Sequence, residues 1–349
     1  MPSELSIIEG QYLKDILAQP RALDDTLENL ENGKALQGLA ARIRGGRFKN
    51  IVLTGMGSSF HALHPLQNEL IKLGLATTMV ETSELVYYKS RLFDSKNILI
   101  AVSQSGQSVE MVRLLKMNRG KAPLIAVTNT KDSPLANYAD AQLVTRAGSE
   151  FSVSCKTYVS ALMALQWLAQ VIASRDLRRS RKELQPASRF VSEYLLHWRA
   201  YTEELAALLK PSLNLFYVGR GNSLAAVGTA ALTTKESSHF AAEGLSSAAF
   251  RHGPLEMLCP QTFVFVFGGD RRTRELNASL LKDIRAHGGK AELIIEHSRC
   301  RACALPAAPP ALSPILEILP VQMITLALAA LSGREAGRFD FATKITTKE

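Results

Sequence analysis

One stretch limits the fold more than any other: Asn97-Ile-Leu-Ile-Ala-Val-Ser-Gln-Ser-Gly-Gln-Ser108, followed at once by Val109-Glu-Met-Val-Arg-Leu-Leu-Lys116. An apolar run of strand length ends in small hydroxyl, carboxamide and glycine residues, and an amphipathic helical pattern begins directly after it. Such a turn sets backbone N–H groups, hydroxyls and a carboxamide at the positive end of a helix dipole, which is how a protein holds a phosphate without a metal. A lone serine at a helix start is an N-cap and nothing more. Five polar side chains in six positions (Ser103, Gln104, Ser105, Gln107 and Ser108) ask for a ligand.

The surrounding pattern is α/β. Strands are expected at residues 51–54, 77–81, 98–102, 124–127 and 142–145 with helices between them, which implies a parallel, doubly wound sheet. Ligands in such sheets sit beyond the carboxyl ends of the strands, and both Gly55–Ser59 and Ser103–Ser108 lie there. The scheme then repeats: Leu215-Phe-Tyr-Val-Gly-Arg-Gly-Asn-Ser223 matches Ile51–Ser59 in kind, and further strands are expected at 262–267 and 293–295. This suggests an internal duplication. The second counterpart of the serine turn is Gly268-Gly-Asp-Arg-Arg272, where the serines are gone and Asp270 would repel a phosphate. The anion is therefore expected in the first unit only. The divisions read as a helical arm over 1–45, a first α/β domain over 46–174, connecting helices over 175–210, a second α/β domain over 211–332 and a polar tail over 333–349.

Composition excludes several classes. The 349 residues are 46% hydrophobic, enough for a full core. No apolar run is expected to reach membrane-spanning length, since the longest helical stretches carry charges or Gln. The N-terminus lacks a signal-peptide pattern, and four irregularly placed cysteines suit a reducing compartment, so a cytoplasmic protein is expected. The net charge of +9 is dispersed. Its densest cluster, Arg175–Lys182, has no interleaved aromatics and reads as a solvated helix face rather than a nucleic-acid site. There is no nucleotide fingerprint and no set of paired metal ligands; the single C-x-x-C, Cys300 to Cys303, carries no zinc or redox reading. Neither a cofactor nor a metal is called for.

Three further residues draw attention. Glu236, in Thr234-Lys-Glu236, could act as a general base, and His252, in Arg251-His-Gly-Pro254, as a proton donor and acceptor. Between them, residues 241–249 are small and poor in core-formers, and read as a loop. Lys344 in the tail could form a Schiff base with a carbonyl. Taken singly, each has a plainer explanation: a solvated Glu, a turn His, a solvated tail lysine.

Together these motifs resemble the sugar isomerase (SIS) domain family, most closely the isomerase half of the glucosamine-6-phosphate synthases. The arm Ile16-Leu-Ala-Gln-Pro20 is similar to the family's Glu-Gln-Pro. Met56-Gly-Ser-Ser59 looks like its Cys-Gly-Thr-Ser turn, Ser103–Ser108 like its Ser-Gln-Ser-Gly-Glu-Thr loop, and Gly219-Arg-Gly-Asn222 like its Gly-Arg-Gly-Asp strand end. The Lys-Glu and His-Gly-Pro-Leu motifs keep their sixteen-residue separation, and the lysine lies five residues from the end in both. The resemblance implies two flavodoxin-like SIS subdomains. It implies a hexose phosphate held by Gly57, Ser59, Ser103, Gln104, Ser105 and Ser108, with Cys155 of the closing-helix motif beside it. Glu236 would then move a proton between C1 and C2, His252 would assist ring opening from a neighbouring subunit, and Lys344 would hold the open-chain ketose as a Schiff base. A homodimer with shared sites, and a tail covering the sugar, follow from the same resemblance.

The departures shape the expected chemistry. No amidotransferase segment precedes residue 45, so ammonia is not expected to come from glutamine within this chain. Thr233 replaces the family's lysine three residues before the catalytic Glu. Val153-Ser-Cys-Lys156 stands for Ala-Ser-Thr-Lys, and Phe339-Asp340 for Pro-Arg, so Asp340 could pair with a cationic amine. The expected activity is aldose–ketose isomerisation of an amino-sugar or fructosamine phosphate with loss of ammonia or amine, as a deaminase or deglycase. The alternatives are an aminotransferase fed by a separate glutaminase subunit and a non-catalytic sugar-phosphate sensor.

Overall fold

A computed structural model describes residues 5–346. The chain divides into two compact units. One comprises Arg21–Glu150, Lys156–Pro186 and the tail from Ala342; the other comprises the residues up to Pro20, Phe151–Cys155 and Ala187–Phe341. The N-terminal helices are thus shared between them.

The first of these units is built on five parallel strands, β1 (Asn50–Gly55), β2 (Thr77–Glu81), β3 (Asn97–Val102), β4 (Leu124–Thr128) and β5 (Ala141–Val144), in the order β2-β1-β3-β4-β5. This is the flavodoxin-like order, with its switch point between β1 and β3. The strands are near-continuous apolar runs because helices cover both faces of a parallel sheet. On one face Val52, Leu99, Ala101, Leu124 and Ala126 pack against Leu85, Met111, Leu114 and Leu135. The helix Lys156–Ile172, buried on nearly every side, also packs in this unit. Its final carbonyls, of Val171 and Ile172, accept from Arg44 at 3.2 and 3.0 Å, a cation at the negative end of a helix. Arg181, in the basic cluster expected to be solvated, donates instead to the carbonyls of Leu27 and Leu30 and lies over the Trp167 ring. That cluster is in part structural.

The other unit carries β6 (Asn214–Gly219), β7 (Ala242–Ser246), β8 (Thr262–Phe267) and β9 (Lys290–Ile294), parallel and in the order β7-β6-β8-β9. Its core joins Phe216, Val218, Val264 and Val266 to Phe250, Leu280 and Ile284. β7 corrects the loop expected over 241–249. It is an edge strand of Ala, Glu, Gly, Leu and Ser with no β-branched residue, held by its ladder to β6. Gly244 is required there, because a Cβ would lie 2.6 Å from the Val227 carbonyl oxygen of the helix Leu224–Ser238.

A second correction concerns apolar length. The helical run Pro310–Leu331 is long and apolar enough to cross a membrane by those criteria alone, and its apolar window is 89% buried within the protein. It packs against Trp198–Leu209 and Leu224–Ser238 as a core helix. Its Gln322, taken from sequence as a polar interruption, exchanges two carboxamide hydrogen bonds of 2.8 Å with the buried Gln19. The polar groups satisfy one another inside the core.

Candidate active site

At the switch point of the first sheet, β1 and β3 end side by side. Gly55 is required where they meet the next helix: a Cβ would come within 3.0 Å of the Val102 carbonyl and 3.1 Å of the Phe60 nitrogen. Gly57 takes a positive φ of 53° and opens the helix Gly57–His61, which turns Ser59 toward the strand ends.

Beyond β3 the chain folds into a ring of self-directed hydrogen bonds. Ser103 Oγ accepts from the Gly106 N–H at 3.1 Å, Ser105 Oγ from the Gln107 N–H at 3.3 Å, and Ser108 Oγ from the Met111 N–H at 3.4 Å. The Gln104 carbonyl accepts from the Asn129 N–H at 3.1 Å and the Thr128 hydroxyl at 3.2 Å, fixing the loop to the end of β4. A serine oxygen that accepts a backbone N–H still has its own O–H to donate. Three such hydroxyls, at the start of the helix Val109–Asn118, make a donor-rich cup suited to an anion.

These groups line one cavity of about 290 Å³, bounded by Met56, Gly57, Ser59, Val102–Ser105, Ser108, Glu110, Met111 and the tail residues Lys344, Ile345 and Thr346. Six residues expected from sequence to bind phosphate (Gly57, Ser59, Ser103, Gln104, Ser105 and Ser108) and the expected carbonyl-holding lysine therefore share a wall. The tail is held: the Thr346 carbonyl accepts the Val109 N–H at 3.1 Å, and Lys344 is paired with Glu150. A larger, open groove of about 930 Å³ runs along β5 and shares only Gln104 with this cavity among their described lining residues.

Sequence reasoning missed Glu110. It is 7% exposed, lines the cavity, and its Oε2 has no hydrogen-bond partner among the described residues. An acid in the first turn of a helix was the available signal, and an amphipathic pattern hid it. Cys155 is completely buried, immediately before the helix Lys156–Ile172.

Glu236 and His252 belong to the other unit. Glu236 lies half-buried near the end of Leu224–Ser238, in a turn where Thr234 Oγ meets Tyr217 OH at 2.8 Å and the Ser237 carbonyl accepts the Gly337 N–H at 2.9 Å. His252 is exposed, in a turn closed by its N–H on the Ala249 carbonyl at 2.9 Å and followed by Gly253 at φ 128°. Asp340, suggested as a partner for an amine, already accepts from Arg334 at 2.8 Å, and that pairing holds its carboxyl below the usual range. Asp270 likewise pairs with Arg272 at 2.6 Å. Cys300 and Cys303 are buried free thiols. Among the described residues no group of three or more His, Cys, Asp or Glu side chains is placed to hold a metal ion.

The relatives of this chain agree with that architecture. The SIS domain model matches residues 47–171 and again 208–332. A glutamine–fructose-6-phosphate aminotransferase (isomerizing) of Thermococcus kodakarensis is 30% identical over 97% of this chain and 58% of its own length, so the chain spans little more than half of that relative. Among solved structures, the C-terminal domain of glucosamine-fructose-6-phosphate aminotransferase from Francisella tularensis superposes with a TM-score of 0.82 at 21% identity, over 94% of this chain and 98% of that one. A glucosamine-6-phosphate deaminase from Thermotoga maritima gives 0.76 at 20% identity, over 97% and 100%. The last two are likenesses of fold. With two tandem matches covering well over half its residues, the chain belongs to the SIS domain family.

Proposed function

We propose that the protein is an enzyme acting on an amino-sugar or fructosamine phosphate, interconverting aldose and ketose with loss of ammonia or amine. The observation that carries this is the single cavity in which the serine loop and Lys344 meet. A sugar phosphate anchored on the loop presents its far end to the tail lysine. Phosphate binding remote from the reacting carbons supplies the energy that orients them. With an amino-sugar phosphate, moving a proton from C2 to C1 leaves the nitrogen as an imine on C2. Lys344 would add to that carbon and expel ammonia, and water would then cleave the lysine Schiff base to the ketose and the free lysine amine. Glu236 is the proposed base between C1 and C2, a role that contributes typically about 10²- to 10⁴-fold. His252 is proposed to assist ring opening in a homodimer, and its exposure supports a role across a subunit contact.

That curated relatives are glutamine–fructose-6-phosphate aminotransferases (isomerizing) supports an amino-sugar phosphate as the substrate class. Incubation with glucosamine 6-phosphate tests the reading. Wild type should release ammonia and fructose 6-phosphate together, and Glu236→Gln should release neither while still binding the sugar. Release by the variant at the wild-type rate would remove Glu236 from the mechanism.

A further inference from the structure

Glu150 has the least exposed carboxylate near the cavity: none of its side-chain surface reaches solvent. It follows β5 and reaches forward to the start of the helix Lys156–Ile172. There Oε1 accepts the Thr157 N–H at 3.1 Å and Oε2 the Thr157 hydroxyl at 2.6 Å. A carboxylate so placed answers the free N–H groups and positive end of that helix. The backbone beside it is pinned too, with Lys156 Nζ on the Ser149 carbonyl at 2.5 Å. Onto this fixed anion comes Lys344, whose Nζ donates to Oε2 at 2.5 Å.

Lys344 is separated from Glu150 by 194 positions, on a polar tail that gains little from burial, and only 23% of its side chain is exposed. A lysine stem has four rotatable carbons and no preferred direction of its own. The Glu150 carboxylate holds its nitrogen at the cavity wall. We propose that Glu150 is the positioning residue for Lys344: it anchors the tail lysine to a helix N-terminus and holds its nitrogen facing the serine loop. This rests on the role given above to Lys344. The bonds from Thr157 engage both carboxylate oxygens of Glu150 and make it a rigid anchor.

The test uses the intact protein, Glu150→Gln and Thr157→Val, with two readouts. The first is trace acetylation by acetic anhydride, measured on the Lys344 peptide against the other lysines. Losing a charged partner should raise labelling of Lys344 about three- to fivefold in Glu150→Gln, as expected for a pair with one partly exposed member. Thr157→Val should raise it less, and it guards against a Glu150 variant that fails to fold. The second is borohydride trapping of fructose 6-phosphate on Lys344. The trapping rate at saturating sugar should fall at least about tenfold in Glu150→Gln. The half-saturating concentration should stay within about twofold, since phosphate contacts dominate it. A purely structural role would not separate these two parameters. Unchanged labelling of Lys344 in both folded variants overturns the inference. Raised labelling with no trapping in wild type upholds the anchor and overturns only the Schiff-base role.

Discussion

At the ends of β1 and β3 the loop serines accept N–H groups of their own loop and keep their hydroxyl protons for whatever enters the cavity. Around the second sheet, buried polar side chains bond one another or the backbone instead. Ser223 donates to Glu317 at 2.7 Å, Ser247 donates to Asn277 at 2.9 Å, and Asn277 donates to the Phe267 carbonyl at 2.9 Å. All four side chains are buried. The two sheets share strand order through four strands, so the scaffold is common and the difference lies in where the polar groups point. A donor bonded within the protein is not offered to a ligand, and in the second crevice Ser223, Ser247 and Asn277 are bonded in this way, while Arg220 Nε, Arg274 Nε and Glu317 Oε2 have no partner among the described residues.

The two strand ends differ most at their positive-φ glycines, Gly106 and Gly269. Gly106 has φ 64°, and a Cβ would fall 2.2 Å from Ser133 Oγ and 2.6 Å from Ser133 Cβ. Ser133 cannot yield, since its Oγ caps the helix Pro134–Tyr138 by accepting from the Ala136 N–H. Gly106→Ala should weaken fructose 6-phosphate binding by about 100-fold or more, roughly 3 kcal/mol, measured by calorimetry. Gly269 has φ 69°, but a Cβ there would meet nothing nearer than Thr273 Oγ at 3.2 Å. Gly269→Ala should cost about 1 kcal/mol of stability and leave sugar binding unchanged.

Next in size is a pH effect confined to the second crevice. Burial pushes the Glu317 carboxyl up to about 7 from an ordinary 4.5, opposed by the Ser223 hydrogen bond and reinforced by the charge of Glu296. Glu296 is itself paired with Arg274 at 3.2 Å. The folded state binds this proton more tightly than the unfolded chain. Its contribution is therefore complete below about pH 4.5 and is lost as pH rises through about 7, by up to roughly 3 kcal/mol. Denaturant melts at pH 5 and pH 8 should show that fall in wild type and a flatter profile in Glu317→Gln. An equal fall in both would remove Glu317 as its source.

Smaller effects sharpen the contrast further. Ser103→Ala should reduce sugar-phosphate affinity about tenfold, the scale of one hydrogen bond to a charged group. Ser223→Ala should leave affinity as it is. Smallest of all, Asp270→Ala breaks a pair whose side chains are at least half exposed, and should change stability by less than about 0.5 kcal/mol. It should not create a second sugar site, because Ser223, Ser247 and Asn277 remain bonded inward.

Much of this was legible in the chain itself. Strands β1, β3, β4, β6 and β8 are continuous apolar runs because both faces of a parallel sheet are covered, and the serine turn stands out by local composition at a strand end. β7 was not legible, since an edge strand of small and polar residues has no periodic signature and is specified by its neighbour. Nor was the length of the apolar run ending at Leu331, which Glu317 and Gln322 interrupt in sequence and buried partners reconcile in space. At the site, Lys344 could be named but its order could not. Its partner Glu150 is remote in sequence, and the bond between them exists only once the tail is folded. Glu110 and Glu150 escaped notice for one reason: a buried carboxylate looks in sequence like any solvated one.

The central claim is that one sugar phosphate binds per chain, at the strand ends of the first sheet. Calorimetric titration of fructose 6-phosphate into wild type, Ser103→Ala/Ser105→Ala and Ser223→Ala tests it directly. One site per chain is expected in wild type and in Ser223→Ala, and no measurable binding in the double variant. Two sites per chain, or binding that survives in the double variant and disappears in Ser223→Ala, would contradict it.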